Sequence, residues 1–314
     1  MKRFIVKLVL FFLPVMMGLT VIEISLRSIP NIYKYKKEQL LKNADTAGII
    51  VMGSSHAHYG INPDFFSVKG YNFSNISQSL DFDYMLLEKY FDKLDNLEFV
   101  VVPVSYSSLF GSLFVSEENW RIKSYNLYYG LRAGFSAKDY FELLNGTVAS
   151  NIKRIREAGD NKSNPIAVSE KGFGTDFTSG IKNDLVETGK TAALRHTKAD
   201  WSLFEYNKNY IDKMIKLCEA RNVKLIFVTM PAFYTYRDNL NEEQLSISID
   251  YMNSTAKNHD NVYYFNFLDN AQFTEDDYYD ADHLNGKGAK KFTLMMDSLI
   301  NEIRERRIAF PPLF

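Results

Sequence analysis

From Phe4 to Ile22 the chain is apolar apart from Lys7, Pro14, Gly18 and Thr20. At about 1.5 Å per residue, a helix of this length crosses the roughly 30 Å hydrocarbon core of a bilayer. Lys2, Arg3 and Lys7 supply a positive entry flank, and Glu23 and Arg27 end the run without a small-x-small cleavage site. An uncleaved signal anchor over residues 1–27, inserted through residues 4–22, is therefore preferred to a cleaved leader. Arg27, Lys34, Lys36, Lys37 and Lys42 lie beyond the run, so the positive-inside count does not favour one orientation. Long domains translocate largely regardless of loop charge, and a chain with one cysteine suits an oxidising compartment. The expected location is the cell membrane, single-pass, with the domain extracytoplasmic. Residues 28–47, rich in lysine and tyrosine, read as a stalk, and residues 48–314 as the globular domain.

From Gly48 onward, short apolar runs alternate with segments of helical period. Gly48–Met52, Gly70–Phe73, Phe99–Val104, Val223–Thr229 and Val262–Phe267 are brief and rich in β-branched or aromatic residues, the signature of buried strands. Between them, Asp83–Leu94, Tyr206–Ala220 and Glu243–Ala256 carry apolar residues at helical spacing, and Ala289–Arg304 forms a final helical run. Strands alternating with helices predict a five-stranded parallel sheet covered on both faces, with ligands at the carboxyl ends of the strands. The stretch from about 105 to 200 breaks this rhythm, with many aromatic residues, a polar middle around Gly159–Gly189 and no strong strand. It reads as an insertion over the site, either a lid or binding surface or a decorated loop packed on the core.

The chain has 314 residues, 46% of them hydrophobic, enough to bury a large core. Its formal net charge of −1 gives no pull toward nucleic acid. The single cysteine, Cys218, excludes an intrachain disulfide and a cysteine metal cluster. Neither a phosphate-cradling loop nor a dinucleotide-binding glycine turn stands after the first strand, so no nucleotide cofactor is expected.

That strand instead runs into Gly53-Ser54-Ser55-His56. A glycine at a strand end lets the chain turn sharply and present the next residues at the sheet edge. A serine there becomes a nucleophile only if a base takes its proton; otherwise Ser54 or Ser55 simply caps the next helix. The base is sought after the fifth strand, in Asp280-Ala281-Asp282-His283-Leu284-Asn285-Gly286-Lys287-Gly288. An aspartate three residues before a histidine can fold back to hold the imidazole in one tautomer. Asp280 is the candidate orienting acid, with Asp282 and Asp277 as competitors, and Asp282 is expected to point elsewhere if His283 faces the serine. A loop histidine ahead of a helix capped by Asn285 is the plainer alternative.

On these residues the chain resembles the SGNH/GDSL hydrolase superfamily, with a nucleophile after the first strand and D-x-x-H-x-N-x-x-G near the end. The resemblance covers about Gly48 to Arg304. It implies a flavodoxin-like three-layer α/β/α sandwich, Ser55 as nucleophile, His283 as base and Asp280 as acid. The anchor and the Gly-Ser-Ser-His block resemble envelope proteins of alginate O-acetylation and teichoic-acid D-alanylation. The implied activity is a serine ester hydrolase or O-acyltransferase on an acylated envelope glycan or related ester, with a membrane-bound acyl-transfer partner.

The chain also departs from the superfamily's pattern. Ser74 stands in place of the second-block glycine, and Pro103-Val104-Ser105-Tyr106-Ser107 in place of the third-block asparagine motif. The expected oxyanion hole is the backbone N–H of Ser55 with donors at Ser74 and at Ser105 or Ser107. These changes equally fit a catalytically inactive scaffold or polysaccharide-binding protein. His56-Ala-His58 has unspecific spacing for a metal, and none is expected. Tyr106, Tyr234 and Tyr236, near strand ends, are candidates for stacking on sugar rings.

Overall fold

The computed structural model describes residues 2–160, 166–177 and 183–305, so parts of the polar middle and the tail from 306 lie outside the described residues. The five expected strands are present as β1 (Ile49–Val51), β2 (Gly70–Asn72), β3 (Phe99–Pro103), β4 (Lys224–Thr229) and β5 (Val262–Asn266). All pair in parallel in the order β2-β1-β3-β4-β5. Parallel neighbours need crossovers, and the helical segments supply them: α3 (Ser55–Gly60) after β1, α4 (Leu80–Tyr90) after β2, α8 (Leu203–Glu219) before β4, and the short α9 (Tyr234–Arg237) with α10 (Glu242–Asn258) before β5. The last helix is α11 (Gly286–Arg304).

The register explains the core. Val51, Val101, Ile226 and Tyr263 stand opposite one another across four strands. They share one apolar cluster with Ala57 of α3 and with Phe292, Met296 and Ile300 of α11. Positions 292, 296 and 300 recur every four residues, so one stripe of α11 seals this face of the sheet. All five residues of β3, the central strand, are buried, as a strand covered on both faces requires.

The chain divides into two compact units. One comprises Glu38–Glu118 and Ala167–Phe314 and holds the sheet. The stretch from 105 to 200 contributes its ends here, including α7 (Leu185–His196). The other unit comprises Met1–Lys37 and Asn119–Ile166. It contains α1 (Lys2–Ser28), the short α5 (Ile122–Ser124) leading into a π turn at Tyr125–Tyr129, and α6 (Val148–Gly159). The expected stalk carries α2 (Ile32–Asn43). At 27 residues, α1 is long and apolar enough to cross a membrane.

Because the Phe292 ring is wholly buried between Phe267 and Phe273, Phe292→Ala leaves a cavity its neighbours cannot fill. The expected loss is about 3–5 kcal/mol, read as a lower denaturant midpoint at unchanged slope.

Candidate active site

The turn after β1 is made by Gly53, whose φ of +108° only glycine adopts without strain. A side chain there would also press on Pro103 and Ala57, at 3.2 and 3.3 Å. Ser54 then occupies the cap position of α3, yet its side chain makes no capping bond. Ser55 opens α3 at the carboxyl edge of the sheet, and its Oγ lies 2.9 Å from His283 Nε2.

His283 comes from the far end of the chain, on a small antiparallel hairpin of β6 (Tyr278–Asp280) and β7 (His283–Leu284) that the sequence did not reveal. Asp280 organises its turn. One carboxylate oxygen accepts the N–H groups of Asp282 at 3.1 Å and His283 at 2.8 Å, and also faces His283 Nδ1 at 2.9 Å. In the neutral ring, with Nδ1–H pointing at the carboxylate, Nε2 is left to accept the Ser55 proton. Just beyond, Asn285 caps α11 through Lys287 and Gly288 and donates to the carbonyls of Asp276 and Tyr278. A Cβ at Gly288 would collide with the Asp277 carbonyl oxygen, which accounts for the glycine there. Asp277 itself is buried against Lys291, away from the imidazole.

Asp282 does not point elsewhere. It is buried, and its carboxylate lies 3.4 Å from His283 Nδ1, 3.2 Å from His56 Nε2 and 3.9 Å from His196 Nδ1. Three of the five histidines surround it, and His283 and His56 hydrogen-bond a carboxylate that burial alone would neutralise. Burial disfavours ionisation of Asp282, but the His283 charge and hydrogen bonds from His283 and His56 hold it well below the usual carboxylate range. Burial likewise pulls His283 down, and the charge of Asp282 with hydrogen bonds to Asp280 and Asp282 overcomes this and raises it above the ordinary histidine range. For His196 burial wins, lowering it to about 3 despite the attraction of Asp282, so it stands neutral with Nδ1 2.9 Å from Tyr236 Oη. His56 stacks on His283, with centroids 4.7 Å apart and planes 26° off parallel. His58 packs instead on Tyr59.

His56, Asp282 and His283 bring potential metal-ligand atoms within 4.8 Å of one another. Those atoms already face Asp280, Ser55 and each other, so a cation would have to displace the bonds that orient His283. A small pocket, partly open to solvent, adjoins His56 and Asp282 and is lined also by Ser105, Tyr106, Tyr236 and Met230. Two of the three candidate sugar-stacking tyrosines thus border it, but their hydroxyls are engaged, Tyr106 with Thr197 and Tyr236 with His196. Tyr234 is exposed. On the other side of His283, Phe177 stands edge-on at 5.6 Å, sandwiched between Tyr59 and Tyr279 with ring centroids 3.7 Å from each.

The expected oxyanion donors are differently disposed. The Ser74 N–H donates to Asn72 Oδ1 at 3.1 Å and its hydroxyl bonds the same oxygen, while the Ser105 N–H donates to Ser108 Oγ at 2.9 Å. Neither is directed at an acyl oxygen, because each satisfies a nearby side chain first. A buried network missed in the sequence lies behind the elbow. Gly53 N–H donates to Asp83 Oδ1 at 2.7 Å, Gln78 Nε2 donates to the same oxygen at 2.6 Å, and Asn75 Nδ2 donates to Gln78 Oε1 at 2.8 Å. The polar run Asn72–Ser79 after the second strand was its visible signal.

A protein-family model matches residues 118–305, more than half of the chain, and the chain belongs to the family it describes. The matched span includes Asp280 and His283 but not Ser55. No curated protein matches the chain. Among solved structures it is similar to a candidate platelet activating factor from Streptococcus pneumonia, at 10% identity over 92% of this chain and 98% of the other, with a TM-score of 0.39. A candidate acylhydrolase from Bacteroides fragilis NCTC 9343 shares 12% identity over 88% and 97%, TM-score 0.39. A GDSL-like lipase from Bacteroides thetaiotaomicron VPI-5482 shares 14% over 88% and 100%, TM-score 0.37. The resemblance to the SGNH/GDSL superfamily rests on the strand order, the serine turn after β1 and the D-x-x-H hairpin.

Burial raises Asp83 to about 7, outweighing the hydrogen bonds from Gln78 and Gly53 that favour its charged form. Folding thus favours the neutral acid, a contribution present in full below the unfolded value near pH 4 and lost as pH rises through about 7. Asp83→Asn keeps the acceptor oxygen and cannot ionise. Thermal melts across about pH 4–8 should therefore fall less steeply for the variant than for the native chain. Parallel curves would exclude this role.

Proposed function

We propose that this chain is a serine ester hydrolase or O-acyltransferase, anchored through α1 in the cell membrane, that acts on an acylated envelope glycan or related ester. One observation carries the reading: a continuous hydrogen-bonded line from Ser55 Oγ to His283 Nε2 and from His283 Nδ1 to Asp280, each step 2.9 Å. In the proposed reaction His283 takes the Ser55 proton as Oγ attacks the ester carbonyl. The proton then passes to the leaving alcohol, and an acyl-serine remains. Water or a glycan hydroxyl, deprotonated by the same imidazole, releases the acyl group. Asp280 orients His283 throughout, and Asp282 adds a second negative charge that stabilises the imidazolium. The stacked rings of Tyr59, Phe177 and Tyr279 offer an apolar wall beside His283.

A second reading, an inactive scaffold or polysaccharide-binding protein, draws on the bonding of Ser74 and Ser105, since losing one oxyanion donor costs about 10²–10³ in rate. Labelling with a fluorophosphonate distinguishes the two. The native chain should label, and Ser55→Ala should abolish labelling. His283→Ala should slow it by orders of magnitude, since that serine then lacks its base. A folded native chain that does not label would favour the scaffold.

The raised His283 fixes the sign of the pH dependence. The imidazole accepts a proton only after losing its own, so labelling should accelerate from neutral into alkaline pH. Asp282→Asn removes the largest charge holding that proton and should move the rise to lower pH by about 1–3 units. An unmoved profile would show that Asp282 does not act on the base.

A further inference from the structure

The unit comprising Met1–Lys37 and Asn119–Ile166 is built against the end of α1. That helix exposes large apolar side chains from Phe4 to Met17 and again at Val21 and Ile24. Leu19, Ile22, Glu23 and Leu26 recur along its opposite face and are wholly or partly covered. Both α6 and the 3-10 turn Leu143–Asn145 pack on α1. The join is polar: Glu23 accepts the N–H groups of Glu142 at 3.1 Å and Leu143 at 2.7 Å, and Arg27 donates to the Tyr140 carbonyl at 2.9 Å. Residues 140–144 are thereby held beside the last turns of α1, where the apolar run gives way to Glu23.

At this level the segment presents large apolar side chains outward. Phe141 is 46% exposed, Leu144 53% and Val148, which opens α6, also 53%. Phe135 is fully exposed and comes after Gly134, whose carbonyl accepts from Tyr140 Oη at 3.0 Å. Lys and Arg outnumber Asp and Glu between Asn119 and Asp160, with Arg132, Lys138, Lys153 and Arg156 among them. Aromatic and aliphatic side chains beside the end of a membrane-length helix, in a basic surrounding, have the composition of a headgroup-level contact.

Resting on the reading of α1 as a membrane anchor, we infer that the face carrying Phe141, Leu144 and Val148 lies in the headgroup region of the same bilayer and binds an anionic lipid surface. Phe141, Leu144 and Val148 enter the headgroup layer beside the end of α1, and the surplus of Lys and Arg over Asp and Glu in Asn119–Asp160 meets the acidic headgroups. The chain is then fixed to the membrane by two contacts, a spanning helix and an interfacial face tied to its end.

The test uses the full chain in vesicles of phosphatidylethanolamine and phosphatidylglycerol, with and without bromine on the acyl chains near the headgroups. Both tryptophans, Trp120 and Trp201, are replaced by Phe, and single reporters are introduced as Phe141→Trp, Leu144→Trp or, within α1, Met16→Trp. Brominated lipid should quench the reporters at 141 and 144 to an extent comparable with that at 16. Quenching at 16 but at neither 141 nor 144 would overturn the interfacial contact and leave the anchor standing. No quenching at any position would overturn the anchor and the inference with it.

Discussion

The site depends on the meeting of Ser55 and His283 across 228 positions of chain. Nothing local holds them together; they meet because both lie at the carboxyl edge of one parallel sheet. In the order β2-β1-β3-β4-β5 every strand leaves the sheet on the same side, so the turn after β1 and the loop after β5 open on a common edge. The apolar row Val51, Val101, Ile226 and Tyr263 fixes the register that sets their separation, and α11, starting directly after the hairpin of His283, locks the loop down through Phe292 and Met296. Core packing far from the chemistry thus sets a 2.9 Å contact at its centre.

Both halves of the contact are braced by buried polar groups. On the serine side Asp83 receives the Gly53 N–H, fixing a turn whose positive φ would otherwise favour no single geometry. On the histidine side one Asp280 oxygen bonds two backbone N–H groups and faces the imidazole, so the group that orients the ring also shapes the loop carrying it. Asn285 works in the same double way by capping α11 while bonding the carbonyls of Asp276 and Tyr278. Removing a partner from such a network leaves buried groups unsatisfied, at a cost of about 1–3 kcal/mol each.

The features legible in the sequence divide along the same line. All five strands emerged from short runs rich in β-branched or aromatic residues, displaced by at most one residue, because a strand covered on both faces is largely apolar. Ser55, Asp280 and His283 were legible as candidates because each has a local mark, a glycine turn for Ser55 and D-x-x-H spacing for the others. The hairpin carrying Asp280 and His283 was not, since its strands are only three and two residues long and their pairing is set by side-chain bonds rather than periodicity. The long stretch after β3 concealed a different division, because the contacts that group Asn119–Ile166 with α1 run through Glu23 and Arg27, residues that otherwise mark the end of an apolar run. The inward turn of Asp282 was equally hidden. His56 and His196 come from separate segments, and only folding brings them to one carboxylate.

That gathering sets the electrostatics of the proposed reaction. A single carboxylate beside an imidazole both orients it and stabilises its charged form; two carboxylates raise the second effect without adding to the first. The ground state then holds a proton on His283 that must leave before Ser55 can be activated, while the transition state, in which the imidazolium reappears, gains from the same charges. His56 shares Asp282 with His283, so one carboxylate is divided between two imidazoles, while the neutral His196 turns its Nδ1 to Tyr236. In the proposed reaction the N–H groups of Ser74 and Ser105, directed elsewhere, meet less of the negative charge developing on the substrate, and the buried Asp282 charge acts at the imidazolium alone.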